Sequence, residues 1–217
     1  MLNRITPTAT MLLVCAANLA LAQTKDRRDS GVMQASAAEK QSPALRRAAE
    51  MPVAMAGYCP VCILDMEKWV KGDPKFAVVL DGKKYLFPSE EQRQTFLKAT
   101  TKYTPALSGD CIVCAVDHQV RSPGSVNFAA SHKGRLFLFP DAKTKSVFMQ
   151  NPAKYENADL AMNGLCVVCK IEMKQDVRGK DEFGTVYGGI RFLFPSIDQK
   201  KKFLSNPQKY LQPQSAK

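Results

Sequence analysis

Six of the chain's seven cysteines fall in three pairs of one spacing: Cys59/Cys62, Cys111/Cys114 and Cys166/Cys169. Two thiolates at Cys-x-x-Cys spacing can grip one soft ion from a single tight turn. Seven residues after each first cysteine stands a further donor: Met66, His118 and Met173. A carboxylate sits beside each of these, as Asp65, Asp117 and Glu172. Cys, Cys and Met make a soft set that suits Cu(I), which accepts low coordination numbers. The second copy, with His118, suits zinc as well. A closed zinc site needs four ligands, so two pairs pooled into one four-cysteine site is a further arrangement. The nine candidate ligands are thus the six paired cysteines with Met66, His118 and Met173, and the expected ion is copper or zinc. Two alternatives stand beside this. Met66 and Met173 are simply core residues, or each pair closes as a local disulfide in a repeat protein that binds an envelope protein partner.

Other chemistry finds little support. The residue after each second cysteine is Ile63, Ala115 or Lys170, never His, which excludes c-type haem attachment. Cys59-Pro60-Val61-Cys62 superficially looks like an oxidoreductase motif, but no βαβ pattern surrounds it. There are two histidines, His118 and His132, and no Ser-His-Asp order, P-loop or dinucleotide fingerprint. The expectation is a protein with no catalytic residues, not an enzyme.

The elements that must position the cysteines recur with them. A proline follows 29 residues after each first cysteine (Pro88, Pro140, Pro195), a Phe 8 residues later (Phe96, Phe148, Phe203) and a Tyr 15 after the proline (Tyr103, Tyr155, Tyr210). This is an internal repeat with periods of 52 and 55 residues. Within it, Phe76 to Leu80 and Lys84 to Phe87 read as strands around an Asp81-Gly82 hairpin turn, which needs positive φ. The second copy pairs Val126 to Ala130 with Arg135 to Phe139. The third pairs Thr185 to Tyr187 with Ile190 to Phe194 around Gly188-Gly189. Ser89 with Gln92, and Ser196 with Gln199, are capping-box patterns that start a helix, and Asp141 caps its counterpart. Phe87, Phe139 and Phe194 with Phe96, Phe148 and Phe203 are the expected core where helix meets hairpin. The fold class is α+β: three tandem small modules, each a Cys-x-x-Cys opening turn, a two-stranded hairpin and a short helix. Units this small need a metal, a disulfide or neighbours to be stable.

The N-terminus reads as a signal peptide, residues 1–22. Arg4 is its positive residue, an apolar run follows, and Ala20-Leu21-Ala22 fits cleavage before Gln23. The run is too short to span a membrane. Cys15 belongs to the discarded segment, because Val14 is too bulky before a lipidated cysteine. Residues 23–56 read as a flexible linker, followed by modules at 57–107, 108–160 and 161–211 and a tail at 212–217. The address is therefore periplasmic or secreted. Of the net charge of +11, loss of Arg4 leaves +10. That favours acidic partners, but the charge is spread, its densest run Lys200-Lys201-Lys202 lies on a helix, and export argues against nucleic acid.

The hairpin ends and closing segments carry a resemblance. Lys84-Tyr85-Leu86-Phe87, Leu136-Phe137-Leu138-Phe139 and Arg191-Phe192-Leu193-Phe194, with Asn151-Pro152-Ala153-Lys154-Tyr155 and Asn206-Pro207-Gln208-Lys209-Tyr210, resemble the YHS domain and the related TRASH metal-binding family. The resemblance covers residues 57–211 three times over and implies a treble-clef-like fold with an ancestral heavy-metal site. Fuller members carry a Cys directly after the Phe and another four residues on. Those positions here are Pro88 and Gln92, Pro140 and Thr144, and Pro195 and Gln199, none of which replaces a thiolate.

Overall fold

The computed structural model describes residues 50–211. The expected signal peptide with Cys15, most of the linker and the tail lie outside the described residues. In the first module the chain begins with a 3-10 turn, Ala54–Gly57, in which Met55 and Ala56 are left-handed (φ 55° and 49°). Helix α1 (Pro60–Met66) follows, then strands β1 (Asp73–Leu80) and β2 (Lys83–Phe87), helix α2 (Glu90–Lys98) and the short turn of helix α3 (Thr100–Tyr103). The second module repeats the order with Ala106–Gly109, α4 (Ile112–His118), β3 (Ser125–His132), β4 (Arg135–Phe139), α5 (Ala142–Gln150) and a 3-10 turn, Pro152–Lys154. The third has Ala161–Gly164, α6 (Val167–Met173), β5 (Lys180–Tyr187), β6 (Ile190–Phe194), α7 (Ile197–Ser205) and α8 (Pro207–Leu211). The architecture is mixed α+β, with three separate two-stranded antiparallel sheets. Residues Pro52 to Ala56, assigned to the linker from composition, pack into the first module: Ala54 and Met55 are buried, and Pro52 accepts a hydrogen bond from the Lys84 N–H at 2.9 Å.

The hairpin tips show why the turn residues are what they are. Both central residues have positive φ in each: Asp81 and Gly82 at 51° and 72°, Lys133 and Gly134 at 46° and 69°, Gly188 and Gly189 at 59° and 78°. That is the turn whose twist matches paired strands. A lone hairpin is marginal in water, so each packs on its following helix. Phe96, Phe148 and Phe203 are fully buried against Phe87, Phe139 and Phe194, with ring centroids 5.0, 5.2 and 5.3 Å apart. The helices start where the caps require. Ser89 and Ser196 accept from the N–H groups of Glu91 and Asp198, and Asp141 accepts from the Thr144 N–H. Gln92 and Gln199 do reach back, but they accept from the serine hydroxyls rather than from the cap backbone.

The modules also touch one another and form one compact unit. Asp81, at the first hairpin tip, accepts from the Gly188 and Gly189 N–H groups of the third tip at 2.6 and 2.7 Å, and from the Ser108 hydroxyl of the second module at 2.5 Å. Between the second and third modules lies Asp159, 1% exposed. Arg135 of β4 grips it with both Nη atoms at 3.0 and 2.6 Å, and Arg191 of β6 reaches it at 3.0 Å. Leu136 and Leu138 of the second module complete the core of the first. Among the described residues no helix is long and apolar enough to cross a membrane.

Candidate metal centre

The three cysteine pairs are built alike, and the building starts upstream of them. Each left-handed turn ends in a glycine two residues before the first cysteine: Gly57, Gly109 and Gly164, with φ of 81°, 98° and 85°. The preceding non-glycine residues cost on the order of 1 kcal/mol each in this conformation. A second glycine holds the turn in place. The N–H groups of Gly72, Gly124 and Gly179 donate to the carbonyls of Gly57, Gly109 and Gly164, each at 2.9 Å. One step further in, the N–H of Cys59 donates to Val70, that of Cys111 to Ser122 and that of Cys166 to Val177, at 2.9, 2.8 and 2.8 Å. Each Cys-x-x-Cys segment is therefore a loop tied off at its base by two backbone hydrogen bonds.

Inside the loop the first cysteine is a helix N-cap. The opening turn expected from spacing is thus the first turn of a seven-residue helix, α1, α4 or α6. Proline at position 60 suits the first helical residue, where its missing N–H is no loss. The sulfur of the first cysteine accepts from the N–H of the second: Cys62 to Cys59 at 3.3 Å, Cys114 to Cys111 at 3.2 Å, Cys169 to Cys166 at 3.3 Å. Each helix ends on a left-handed residue, Glu67, Gln119 or Lys174. The next N–H bonds back to the carbonyl of the second cysteine, at 3.1, 3.2 and 3.3 Å.

All six are free thiols, and five are buried; Cys114 is half-buried. Burial pushes the Cys62 thiol up to about 12, and its hydrogen bond with Cys59 adds to this. Cys111 likewise rises to about 12, first through burial and then through its bond with Cys114. Cys169 rises to about 11 for the same two reasons. A helix start commonly activates a thiol, but at Cys62, Cys111 and Cys169 desolvation wins and these thiols stay protonated at neutral pH.

The remaining candidates do not all join the pairs. Met66, His118 and Met173 are the last residues of their helices, one turn beyond the second cysteine and therefore on its face. Met66 and Met173 are 46% and 47% exposed, so neither is a core residue. Among the described residues no three of His, Cys, Asp and Glu converge, so His118 is not gathered with Cys111 and Cys114. The pairs lie in three separate cores, and the pooled four-cysteine arrangement is not formed.

The neighbouring carboxylates serve another purpose. Asp65 accepts from the Tyr103 hydroxyl at 2.7 Å and from Lys102 at 2.8 Å. Asp117 accepts from Tyr155 at 2.8 Å and pairs with Lys154 at 2.7 Å. Glu172 accepts from Tyr210 at 2.8 Å, Lys209 at 2.6 Å and Lys202 at 3.0 Å. Burial would raise the Asp65 carboxyl, but the bonds from Lys102 and Tyr103 outweigh it and hold it below the usual range. Lys154 and then Tyr155 hold Asp117 down, and Lys209, Lys202 and Tyr210 hold Glu172 at about 2. Sequence reading took each carboxylate as a ligand's neighbour. Its real partner is the Lys-Tyr close, and the signal was present as an acid six residues after the first cysteine in every copy. The glycines two residues before and thirteen residues after that cysteine were equally legible.

Compared with known proteins, the chain matches no family model, no curated protein and no solved structure.

Proposed function

We propose that this chain is an exported, non-catalytic metal-binding protein that holds Cu(I) between the two sulfurs of each Cys-x-x-Cys pair. The observation that carries the reading is the threefold recurrence of one cysteine pair, preset by an N–H···S hydrogen bond of 3.2–3.3 Å. Two sulfurs suit a soft ion of low coordination number, whereas structural zinc takes four ligands. Binding would replace two thiol protons by one ion, releasing both to solvent, with no change of oxidation state. The exposed Met66 and Met173 and the exposed His118 stand one turn away as weaker outer donors. The resemblance to YHS and TRASH modules, with their treble-clef-like fold, agrees with this reading. So does the expected signal peptide, which would place the protein in the bacterial periplasm or outside the cell. There it would sequester, sense or deliver copper.

The test is titration of the reduced full chain with Cu(I) against a chromophoric Cu(I) chelator, with elemental analysis of the product. Three equivalents per chain are expected, and all are lost in a variant with serine at the six paired positions. Zinc bound in preference, or no metal bound by fully reduced protein, would sink the reading.

One observation favours a second reading, in which the pairs are disulfides in an interaction protein. The two cysteines of each pair meet at one helix start, the second one's N–H on the first one's sulfur, and an external two-electron oxidant that takes two electrons and two protons would join them. A free-thiol count on protein purified without reductant separates the two. Six thiols support metal binding, and none after denaturation supports disulfides.

A further inference from the structure

The three pairs are equivalent in design but not in access. Cys59, Cys62, Cys111, Cys166 and Cys169 are buried, while Cys114 is half-buried. The difference accompanies a change in the closing segment. Modules one and three close with α-helical turns, Thr100–Tyr103 and Pro207–Leu211, whereas module two closes with the 3-10 turn Pro152–Lys154. It also accompanies a change of outer donor. One helical turn beyond Cys114 stands His118, exposed, where the other copies carry Met66 and Met173.

We propose that the Cys111/Cys114 pair of the second module is the port through which Cu(I) exchanges with an external thiolate donor, and that the other two pairs are closed stores. This rests on the metal reading given above. Ligand exchange on Cu(I) proceeds by attack of an incoming sulfur, so a sulfur that solvent cannot reach reacts only after local opening. At the port the first exchange, onto half-buried Cys114, needs no opening. The donor's Cu–S bond breaks as a Cu–S bond to Cys114 forms, and the Cys114 proton passes to the departing donor thiolate. Cys111, which is buried, then replaces the second donor sulfur after local opening, its proton passing to that departing thiolate. No electron moves. His118 stands at the rim as the first nitrogen an arriving ion meets on that face.

Two arms test this on the full chain. In the first, metal-free reduced protein is pulsed with iodoacetamide and the six cysteines are read separately by peptide mass spectrometry. Cys114 is expected to label about tenfold or more faster than the other five. Equal rates overturn the proposal without any variant that could misfold. In the second, Cu(I)-loaded protein is mixed with excess Cu(I) chelator. One equivalent should leave in a fast phase that is missing from the C111S/C114S variant, and two should leave slowly. Uptake of Cu(I) followed by one uniform release phase sinks the port alone. No uptake, together with the expected labelling contrast, sinks the metal reading and the port with it.

Discussion

Tyr103 donates its hydroxyl proton to the Asp65 carboxylate at 2.7 Å, across 38 residues of chain. The same bond joins Tyr155 to Asp117 and Tyr210 to Glu172 at the same separation. It fastens the last residues of each module to the helix that begins with its cysteine pair, so the module closes into a ring around its core. Phenylalanine at position 103 keeps the ring's apolar packing and removes only the bond. Y103F should therefore cost about 1 kcal/mol, measured by urea denaturation of reduced protein. Because the carboxylate is committed to this clasp, D65N should leave the Cu(I) stoichiometry unchanged. A lost equivalent in D65N would make Asp65 a ligand after all.

The clasp of the third module carries a pH signature. Glu172 is held at about 2 by Lys209, Lys202 and Tyr210, against an ordinary value of 4.5. A carboxyl lowered by folding contributes stability that is complete above its unfolded value and drains as pH falls toward the folded one. Stability should decline from about pH 4.5 downward, and E172Q should flatten that decline. Denaturation midpoints between pH 7 and pH 3 decide it. A variant that falls as steeply as the parent would show that the acid sensitivity lies elsewhere.

Asp159 is the counter-charge for two arginines from different modules. It is 1% exposed, and the side chains of Arg135 and Arg191 are 12% and 9% exposed. Removing one member of such a buried set leaves its partners uncompensated, at a cost of roughly 3–5 kcal/mol. D159N should lower the unfolding free energy by about that amount. The loss should appear in the docking of modules two and three, seen as faster hydrogen exchange at the Arg191 N–H, which donates to the Asp159 carbonyl. An effect no larger than that of a surface charge substitution would mean that water reaches the arginines freely.

What the sequence made legible was whatever repeats locally. The hairpins announced themselves through turn residues such as Asp81-Gly82, and the core through Phe96 and its copies, because strand pairing and capping depend on near neighbours. The helix after each first cysteine was not legible. Its seven residues are too few for an apolar period, and it is held by the tie between Cys59 and Val70 rather than by propensity. The recurrence of Gly72 is visible in the sequence but its reason is not: a Cβ there would lie 2.2 Å from the Leu86 carbonyl carbon. That close approach exists only once the hairpin has folded back. The cation pair on Asp159 and the Asp81 bridge to Gly188 were equally out of reach, since they depend on how modules dock. The outer donors were chosen by their spacing from the cysteines alone, which says nothing about exposure, and Met66 is 46% exposed.

The thiols supply the last prediction. Cys62 and Cys111 rise to about 12 and Cys169 to about 11, from an ordinary 9.0. A thiol raised by folding contributes stability that is complete below its unfolded value and is lost as pH climbs toward the folded one. The metal-free protein should therefore weaken above about pH 9, and alkylating the pairs or replacing them with serine should remove that sensitivity. The same protons set the pH dependence of metal affinity. Each pair must release two protons to take one ion. Wherever both protons of a pair are displaced by the ion, the apparent Cu(I) affinity should therefore climb about a hundredfold per pH unit. Competition titrations at pH 6, 7 and 8 measure the slope. A tenfold rise per unit would mean that one sulfur of each pair binds and the other stays protonated. A flat profile would mean that the ion sits on Met66 and Met173, which carry no proton to lose.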